Sequence, residues 1–411
     1  MPIAAVPRYL GEHYDDFQQT SPGLRFGMYL CIWGVDRRSQ KALWETHDVD
    51  YQQRGQDRRE RQIPIDTKKD AIKHACGLTE NDKNAMHAWQ QRQQRQARPL
   101  LEQGLLAEFF AESVAPFATG LGNEHPTENG FAFLWPYGLP YLSGSGVKGV
   151  LRQAARELDW PQDEREALFG SEPPDDDQQA NLRRGALSFW DVVPMLEGNA
   201  LRVEVMTPHQ SHYYQPRPGQ QERNAGSNSP HDSGSPNPIF FLSVPPGSKF
   251  VFRVTCDPQY LSPGLRADNL WQQRLRQAFE HAFDWLGFGA KTAVGYGALR
   301  FDEQAQQKAQ AELQQAQRQK QLASLTPAQR AIEEYAQYMA KRQQEIRGRK
   351  TLVGQQDYQR TQALAQQAQS PDWSPEEKRA AADAIEQWAP QIIQLELREL
   401  RKRLNLSALR T

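Results

Sequence analysis

One segment of the chain has the sequence Gly287-Phe288-Gly289-Ala290-Lys291-Thr292-Ala293-Val294-Gly295-Tyr296-Gly297. It connects a predicted helix to a predicted strand. Glycine lets the backbone approach a ligand closely and adopt a positive φ, while Lys291 supplies a cation and Tyr296 a ring and a hydroxyl. The segment is typical of a loop that binds a polyanion, and nucleic acid is one candidate. A tight packing turn is the alternative that the segment alone leaves open.

Two familiar phosphate-binding signatures do not fit this segment. A Walker loop requires glycine directly before the lysine and again five residues further back, where the chain has Ala290 and Trp285. A dinucleotide fingerprint requires glycine three residues after Gly289, where the chain has Thr292. Both signatures also follow a strand, whereas this segment follows a predicted helix. The sequence therefore does not predict a site for ATP or for a dinucleotide.

The flanking residues predict an α+β fold. Predicted helices lie at 143–160 and 268–286, where apolar residues recur at helical spacing. Short or alternating apolar runs predict strands at 108–119, 186–193, 201–206, 239–244, 250–256 and 298–301. With the long polar insertion of 208–238 and its two flanking strands left out, the order is β-α-β-β-α-β, which is the ferredoxin-like pattern.

Both ends of the chain are predicted to be mainly helical. Residues 1–106 contain arginine clusters at 54–61 and 92–98, which we interpret as charged helix faces or as contacts to phosphates or to a partner subunit. Residues 303–411 are predicted to form a helical extension of the core, 107–302. Its clearest helix starts are Thr326-Pro327 and Ser374-Pro375-Glu376-Glu377, which combine a capping residue with proline at the first helical position. An apolar stripe follows at Ile393, Leu397, Leu400 and Leu404.

Composition limits the classes of function. The chain of 411 residues carries 49 lysines and arginines against 50 acids, so any binding of nucleic acid must come from local basic patches. Its three cysteines lie far apart without a C-x-x-C pair, which argues against a zinc site. No apolar run is long enough to cross a membrane, and the first residues do not resemble a signal peptide. We expect a soluble cytoplasmic protein without a metal or cofactor.

A second group of candidate residues surrounds the predicted helix at 143–160. Ser143 or Ser145 can cap this helix, and the neighbouring glycines would leave its N-terminal N–H groups open to an anion. Lys148, Arg152 and Arg156 are spaced four residues apart and so lie in one row along the helix. A helix N-terminus beside a basic row suits a phosphodiester backbone. A solvated basic face is the alternative.

A third group lies where the long insertion begins. His209 and Tyr214 are well suited to stacking on bases or to contact with ribose. The insertion itself is either an extended hairpin or a disordered loop.

Several motifs occur together in an order that resembles one family. They are G-L-G-x-E-H-P-x-E-x-G at 120–130, Y-G-L-P-Y-L-S-G-S-x-x-K-G-V-L-R at 137–152, Phe169-Gly170-Ser171, L-S-F-W-D at 187–191, Met206-Thr207-Pro208-His209, Tyr213-Tyr214, Asn237-Pro238-Ile239 and the glycine-rich segment 287–297. Ser21-Pro22-Gly23-Leu24 matches more weakly. The chain thereby resembles the RAMP (repeat-associated mysterious protein) superfamily of CRISPR systems, and within it the family of sixth subunits of type III-B (Cmr) effector complexes. The resemblance covers 107–302 well and 1–106 loosely, and 303–411 lies outside it.

The resemblance implies a ferredoxin-like (RRM-like) RAMP core with a thumb-like insertion at about 208–238. It also implies a non-catalytic scaffold subunit that binds CRISPR RNA and the guide–target duplex in antiviral defence. Its partners would be target RNA and the backbone and end-capping subunits of the complex, without a membrane. The RNA-binding residues it implies are Lys148, Arg152, His209, Tyr214, Gly287, Gly289, Lys291, Gly295, Tyr296 and Gly297. Residues with either an RNA-contacting or a structural role are His125, Ser145 and Arg156.

Two other functions stay open at this point. Some relatives in the superfamily cleave CRISPR RNA without a metal, and His125 and Lys148 are the residues that such chemistry would use as base and cation. A pure protein-interaction subunit is the second alternative, because the net charge is near zero and the C-terminal region is polar. We interpret Asp191 as a carboxylate that anchors a loop, and Asp175-Asp176-Asp177 as an exposed acidic loop rather than a metal site.

Overall fold

The computed structural model of the chain describes residues 4, 6, 17–35, 42–43, 47–54, 57–64, 67–171, 183–207, 238–346 and 350–410. The chain folds into two compact units, 1–308 and 309–411. The strands formed by the described residues are β1 (Gly34–Val35), β2 (Ala42–Leu43), β3 (His47–Arg54), β4 (Asp57–Pro64), β5 (Leu106–Ser113), β6 (Phe133–Leu134), β7 (Leu139–Pro140), β8 (Leu187–Phe189), β9 (Arg202–Met206), β10 (Ile239–Ser243), β11 (Lys249–Cys256) and β12 (Leu299–Phe301).

The α-helices of the described residues are α1 (Pro22–Gly27), α2 (Thr67–Cys76), α3 (Glu80–Glu102), α4 (Gly144–Glu157), α5 (Gln162–Phe169), α6 (Pro263–Arg266), α7 (Leu270–His281), α8 (Glu303–Ser324), α9 (Pro327–Ile346), α10 (Gln356–Gln367), α11 (Pro375–Ile392) and α12 (Leu397–Arg403). A π-helical turn, Ala282–Leu286, continues α7. None of these helices combines the length and the apolar character needed to cross a bilayer.

A four-stranded sheet lies at the centre of the first unit. Its order is β12-β5-β11-β8, and every neighbouring pair is antiparallel. The chain passes through these elements in the order β5-α4-β8-β11-α7-β12. Between β8 and β11 the antiparallel pair β9–β10 projects as a separate ribbon, in which Met206 pairs with Ile239. The predicted α+β class is confirmed, and the long insertion begins and ends at this ribbon.

One face of the sheet is covered by aromatic packing. Phe250 and Phe252 on β11 are fully buried on this face. The ring of Phe109 on β5 lies 4.5 Å from that of Phe279 on α7. The ring of Phe252 lies 5.1 Å from that of Phe288, which follows the π-helical turn. Each such ring contributes about 1.5–3 kcal/mol when it is fully buried, so the phenylalanines hold α7 and the segment after it against the sheet.

The opposite face of the sheet is charged and internally paired. Arg253 on β11 donates from Nε to Glu108 on β5 over 2.7 Å, and its Nη1 donates to Gln93 of α3 over 2.9 Å. Lys249 pairs with Glu112 and Asp302, each at 3.0 Å. RNA recognition motifs present stacking aromatics on the open face of such a sheet. Charged side chains occupy the face that an RNA recognition motif uses for stacking, so the RRM-like prediction does not include RNA binding through this face.

The prediction for 1–106 is wrong in its middle part. Helices α1, α2 and α3 form as expected, but β3 and β4 pair as an antiparallel hairpin in which Arg54 lies opposite Asp57. The arginine cluster at 54–61 therefore lies on strands and not on a helix face. The two residues between the strands begin with Gly55, which is typical of a two-residue hairpin connection.

The second unit is a helical bundle with its own apolar core. Ser374 and Glu377 form the predicted capping box at the start of α11. Gln329 donates its backbone N–H to Thr326 Oγ1 over 3.1 Å, so Thr326 caps α9 as predicted. Ile393, Leu400 and Leu404 are buried in this core, whereas Leu397 is 37% exposed. Three of the four residues of the predicted stripe are therefore buried. The exception, Leu397, is the first residue of α12.

Replacing Arg253 by alanine leaves Glu108 buried without its cation. We expect Arg253→Ala to lower the free energy of unfolding of the first unit by about 3–5 kcal/mol. Lys249→Ala is the matched control, because its side chain is 49% exposed and such pairs contribute less than about 1 kcal/mol. Urea unfolding followed by tryptophan fluorescence measures both. Equal losses in the two variants would contradict a special role for Arg253.

Candidate nucleic-acid interface

The glycine-rich loop 287–297 lies against the segment that follows β5. Ala290 donates its N–H to the Ala118 carbonyl over 2.7 Å, and Gly297 donates to the Pro116 carbonyl over 2.8 Å. Within the loop, Phe288 donates to the Gly297 carbonyl over 2.9 Å. The loop is therefore held by backbone hydrogen bonds at both ends, with the Phe288 side chain buried between them.

The four glycines of the loop have two different roles. A Cβ added to Gly297 (φ 72°) would lie 1.8 Å from the Phe288 carbonyl oxygen, and one added to Gly289 (φ 87°) would lie 2.2 Å from that of Ala118. Gly287 (φ 70°) is also close to neighbouring backbone, with the Tyr296 oxygen at 3.2 Å. Gly295 (φ 92°) has no atom within 4 Å of such a Cβ. Three glycines thus serve packing, and only Gly295 borders open space.

Lys291 and Tyr296 lie together at the base of the β9–β10 ribbon. The Lys291 ammonium is 2.8 Å from Met206 Sδ and lies over the Phe241 ring, 5.3 Å from its centroid. The Tyr296 ring is 5.7 Å from that of Phe241. Burial and the neighbouring Glu204 carboxylate raise the pKa of the Tyr296 hydroxyl. The loop thus presents a cation at the point where the long insertion leaves the core.

His209, Tyr214 and the remainder of 208–237 lie outside the described residues. The predicted contacts of His209 and Tyr214 with RNA therefore stay predictions.

A second basic group surrounds a cavity beside α4. The cavity has a volume of about 430 Å³, and its wall includes Ser145 together with Lys148 and Arg152 of the predicted row. Arg183 and Arg184 contribute two further cations. In the described part of the chain, no acidic residue lines it. Arg156, the third residue of the predicted row, is not part of the wall and donates to Gln153 over 3.3 Å.

The cations of this cavity are crowded together. Burial, with the neighbouring Arg152 guanidinium as a second cause, lowers the pKa of Lys148. Arg152 Nη2 donates to the carbonyls of Phe169 and Gly170 over 2.6 and 3.1 Å. Arg152 therefore also fixes the shape of the wall. An anion in this cavity would offset the repulsion between the cations.

The N-terminus of α4 is not the open anion site that the sequence predicted. Ser143 caps the helix, and its Oγ accepts the Gly146 N–H over 3.2 Å. The Gly144 N–H donates to the carboxylate of Asp191 over 2.7 Å. The Asp191 side chain thus occupies the position at the N-terminus of α4 where the sequence predicted a phosphate. This contact agrees with the interpretation of Asp191 as a carboxylate that anchors a loop.

Sequence reasoning missed Arg183 and Arg184. They lie 31 or more residues beyond Lys148 and Arg152 in the chain, so no helical spacing connects them. The Arg183 N–H donates to Ser171 Oγ over 2.6 Å, which brings the arginines beside Phe169-Gly170-Ser171. In the sequence, Phe169-Gly170-Ser171 indicates only a resemblance to a family. Its proximity to Lys148 is a result of tertiary structure, which the sequence pattern does not reveal.

His125 has a structural environment. Its Nε2 lies 2.9 Å from the Phe26 carbonyl, and its Nδ1 lies 3.2 Å from the Thr127 N–H that donates to it. The ring also stacks on that of Phe26 at 3.8 Å. These partners require a neutral ring protonated at Nε2. Burial lowers the pKa of His125, and the bond to Phe26 only partly offsets this. Both nitrogens are engaged, which leaves neither for proton transfer from a ribose.

The chain resembles known proteins over the part that carries both basic groups. Residues 110–300 match the model of the RAMP superfamily. Over this region the chain is similar to the RAMP superfamily. The matched region contains nearly all of the central sheet and the described wall of the basic cavity.

One protein that is similar to this chain comes from a Cmr system. The chain is 27% identical over 231 residues to the CRISPR system Cmr subunit Cmr6 of Pyrococcus furiosus, a match that covers 44% of this chain and 63% of that protein. The chain thus spans less than two thirds of that relative's length.

Two solved structures are also similar to this chain. The cryo-EM structure of the type III-B Cmr-beta bound to cognate target RNA covers 57% of this chain and 70% of its own, with 17% identity and a TM-score of 0.39. The crystal structure of Cmr6 from Pyrococcus furiosus covers 48% and 97%, with 21% identity and a TM-score of 0.27. Because both scores are low, the similarity to the RAMP superfamily rests on the sequence match.

The two roles of the loop glycines can be separated by mutation. We expect Gly297→Ala to lower the free energy of unfolding by about 3 kcal/mol or more, because strain at a positive φ adds to a clash with backbone. Gly295→Ala has only the conformational strain, about 1–2 kcal/mol. Urea unfolding measures both variants. If Gly295→Ala were the more destabilising, the assignment of the two roles would be wrong.

The environment of His125 predicts a dependence of stability on pH. Its folded pKa lies below the value of about 6.5 in unfolded chains, so below that pH the unfolded state binds a proton that the folded state does not. Stability should therefore fall as pH drops from about 6.5 towards the folded pKa. His125→Gln should weaken this dependence between about pH 7.5 and pH 5.5. Replacement of the exposed His87, as His87→Gln, serves as the matched control.

Proposed function

We propose that this chain is a non-catalytic RNA-binding scaffold subunit of a type III-B CRISPR (Cmr) ribonucleoprotein effector complex, acting in antiviral defence in the cytoplasm. The observation that carries the proposal is the position of Lys291. Its ammonium lies at the base of the ribbon from which the insertion departs, held by Met206 and Phe241. A cation fixed where an extended element leaves the core suits the backbone of a bound strand.

The organisation of the core supports this assignment. The strand order β12-β5-β11-β8 and the succession β-α-β-β-α-β are those of a ferredoxin-like core with one inserted ribbon. We assign the insertion at about 208–238 as the thumb, with His209 and Tyr214 near RNA at its base. The described part of that base is the paired β9 and β10.

Under this proposal, some of the candidate residues contact RNA and the others maintain the shape of the binding surface. Lys148 and Lys291 contact phosphates, together with the arginines of the cavity wall. Gly295 lets a strand approach the loop, because nothing occupies the space beside it. Gly287, Gly289 and Gly297 act through the shape of the loop, and Tyr296 positions it through Glu204 and Phe241. His125 supports the segment 120–130 and does not contact RNA.

The proposed partners are CRISPR RNA, target RNA and the backbone and end-capping subunits of the complex. The second unit, 309–411, lies outside the RAMP match. We assign it to contact with a neighbouring subunit.

A pure protein-interaction subunit is the second candidate function. Trp285 is 78% exposed and Val294 is 71% exposed, and they lie on either side of Lys291 in the sequence. Large exposed apolar side chains of this kind favour a protein partner over a phosphate backbone. A ribonuclease has less support, because both ring nitrogens of His125 are engaged.

RNA binding by the full-length chain distinguishes these functions. We expect weak binding of single-stranded CRISPR repeat RNA that falls steeply with salt, since each phosphate contact contributes about 0.7 to the slope of log K against log salt. Lys291→Ala and Lys148→Ala should each reduce the slope by about that amount. Lys249→Ala is the control, because its ammonium is already paired with Glu112 and Asp302. Fluorescence anisotropy measures the affinities.

Three outcomes would contradict the proposal. Unchanged slopes in both lysine variants would favour the protein-interaction function. Binding that persists in high salt would exclude phosphate contacts as its main source. Specific cleavage of the same RNA in EDTA would show a metal-independent ribonuclease.

A further inference from the structure

An exposed tyrosine adjoins the basic cavity. Tyr260 ends a short 3₁₀ turn, Pro258–Tyr260, and is 46% exposed. The guanidinium of Arg184, which lines the cavity, lies over its ring at 5.6 Å from the centroid. Aromatic rings and arginine planes are the two kinds of surface on which proteins stack unpaired bases. The cavity therefore has a stacking surface directly beside its cations.

The size of the cavity exceeds what a phosphate contact requires. A volume of about 430 Å³ falls within the range of about 300–1,000 Å³ that is usual for small-molecule sites. Leu187 and Phe189 supply an apolar part of the wall, while Ser145 and Ser171 supply hydroxyls. A cationic wall, an apolar wall and hydroxyl groups together match a phosphate, a base and a sugar.

The balance of charge indicates an anionic occupant. Lys148, Arg152, Arg183 and Arg184 line the cavity, and none of the described lining residues is acidic. The nearby Asp191 carboxylate is already used by the Gly144 N–H. The helix N-terminus is thus occupied within the chain, and the site depends on its side-chain cations.

We propose that this cavity binds a single nucleotide of an RNA strand that is turned out of the stack. Its phosphate lies against Lys148 and Arg183, and its base stacks on the platform formed by Arg184 and Tyr260. The inference rests on the proposed function, since it takes the ligand to be RNA. It differs from a general backbone contact because it requires a base as well as a phosphate.

Paired oligonucleotides separate the two contributions. The probes are a fluorescein-labelled RNA pentamer and an abasic pentamer with the same number of phosphates, both titrated against the full-length chain at low salt. Tyr260→Ala should weaken binding of the RNA pentamer about tenfold, because stacking on an aromatic ring contributes about that much per base. It should leave the abasic pentamer unchanged. Lys148→Ala should weaken both probes equally.

Two control variants keep this test independent of folding. Tyr260→Phe retains the ring and should bind both probes like the unmodified chain. Trp135→Ala removes another exposed aromatic that does not line the cavity, and it should also have no effect. The nucleotide site is disproved if Tyr260→Ala leaves the RNA pentamer unaffected or weakens both probes alike. If neither probe binds the unmodified chain, the proposed RNA-binding function fails together with the site.

Discussion

Burial of Phe288 is the constraint on which the loop and its surroundings depend. The ring packs among Phe252, Phe279 and Phe283, which are themselves held between the central sheet and α7. A phenylalanine in a connecting loop can reach the core only if the backbone on both sides comes unusually close. Gly289 and Gly297 permit that approach. The hydrogen bonds from Ala290 to Ala118, from Gly297 to Pro116 and from Phe288 to Gly297 then fix the loop. The position of Lys291 follows from this packing.

A tight packing turn and a ligand-binding loop are therefore not mutually exclusive descriptions of the segment 287–297. Rigid backbone at positive φ costs free energy that the buried ring offsets. A cation mounted on such a loop is positioned before any ligand arrives, so little conformational entropy is lost on binding. At the cavity, the bonds from Arg152 to the carbonyls of Phe169 and Gly170 have a comparable effect. In both places a structural contact holds a basic side chain in a fixed position without any ligand.

Local features could be predicted from the sequence, and tertiary ones could not. The caps at Thr326 and Ser374 are predicted correctly because their partners lie three residues away. The β3–β4 hairpin is missed because its high charge masks the turn signal. The closure of the α4 N-terminus by Asp191 depends on two loops that meet in space, 47 residues apart in sequence. Arg183 and Arg184 could not be connected with Lys148 for the same reason, and the stacking of His125 on Phe26 has no signal in the sequence.

The contact between Ser171 and Arg183 has a practical consequence for work on this protein. Their backbone and side-chain hydrogen bonds, at 3.0 and 2.6 Å, join the two ends of the segment 172–182 directly at the cavity mouth. Because these two hydrogen bonds fix the distance between Ser171 and Arg183, that distance does not depend on the number of residues between them. A longer connecting segment adds little to the entropy cost of closing the loop. A change in the length of the chain between Ser171 and Arg183 is therefore expected to leave their hydrogen bonds in place.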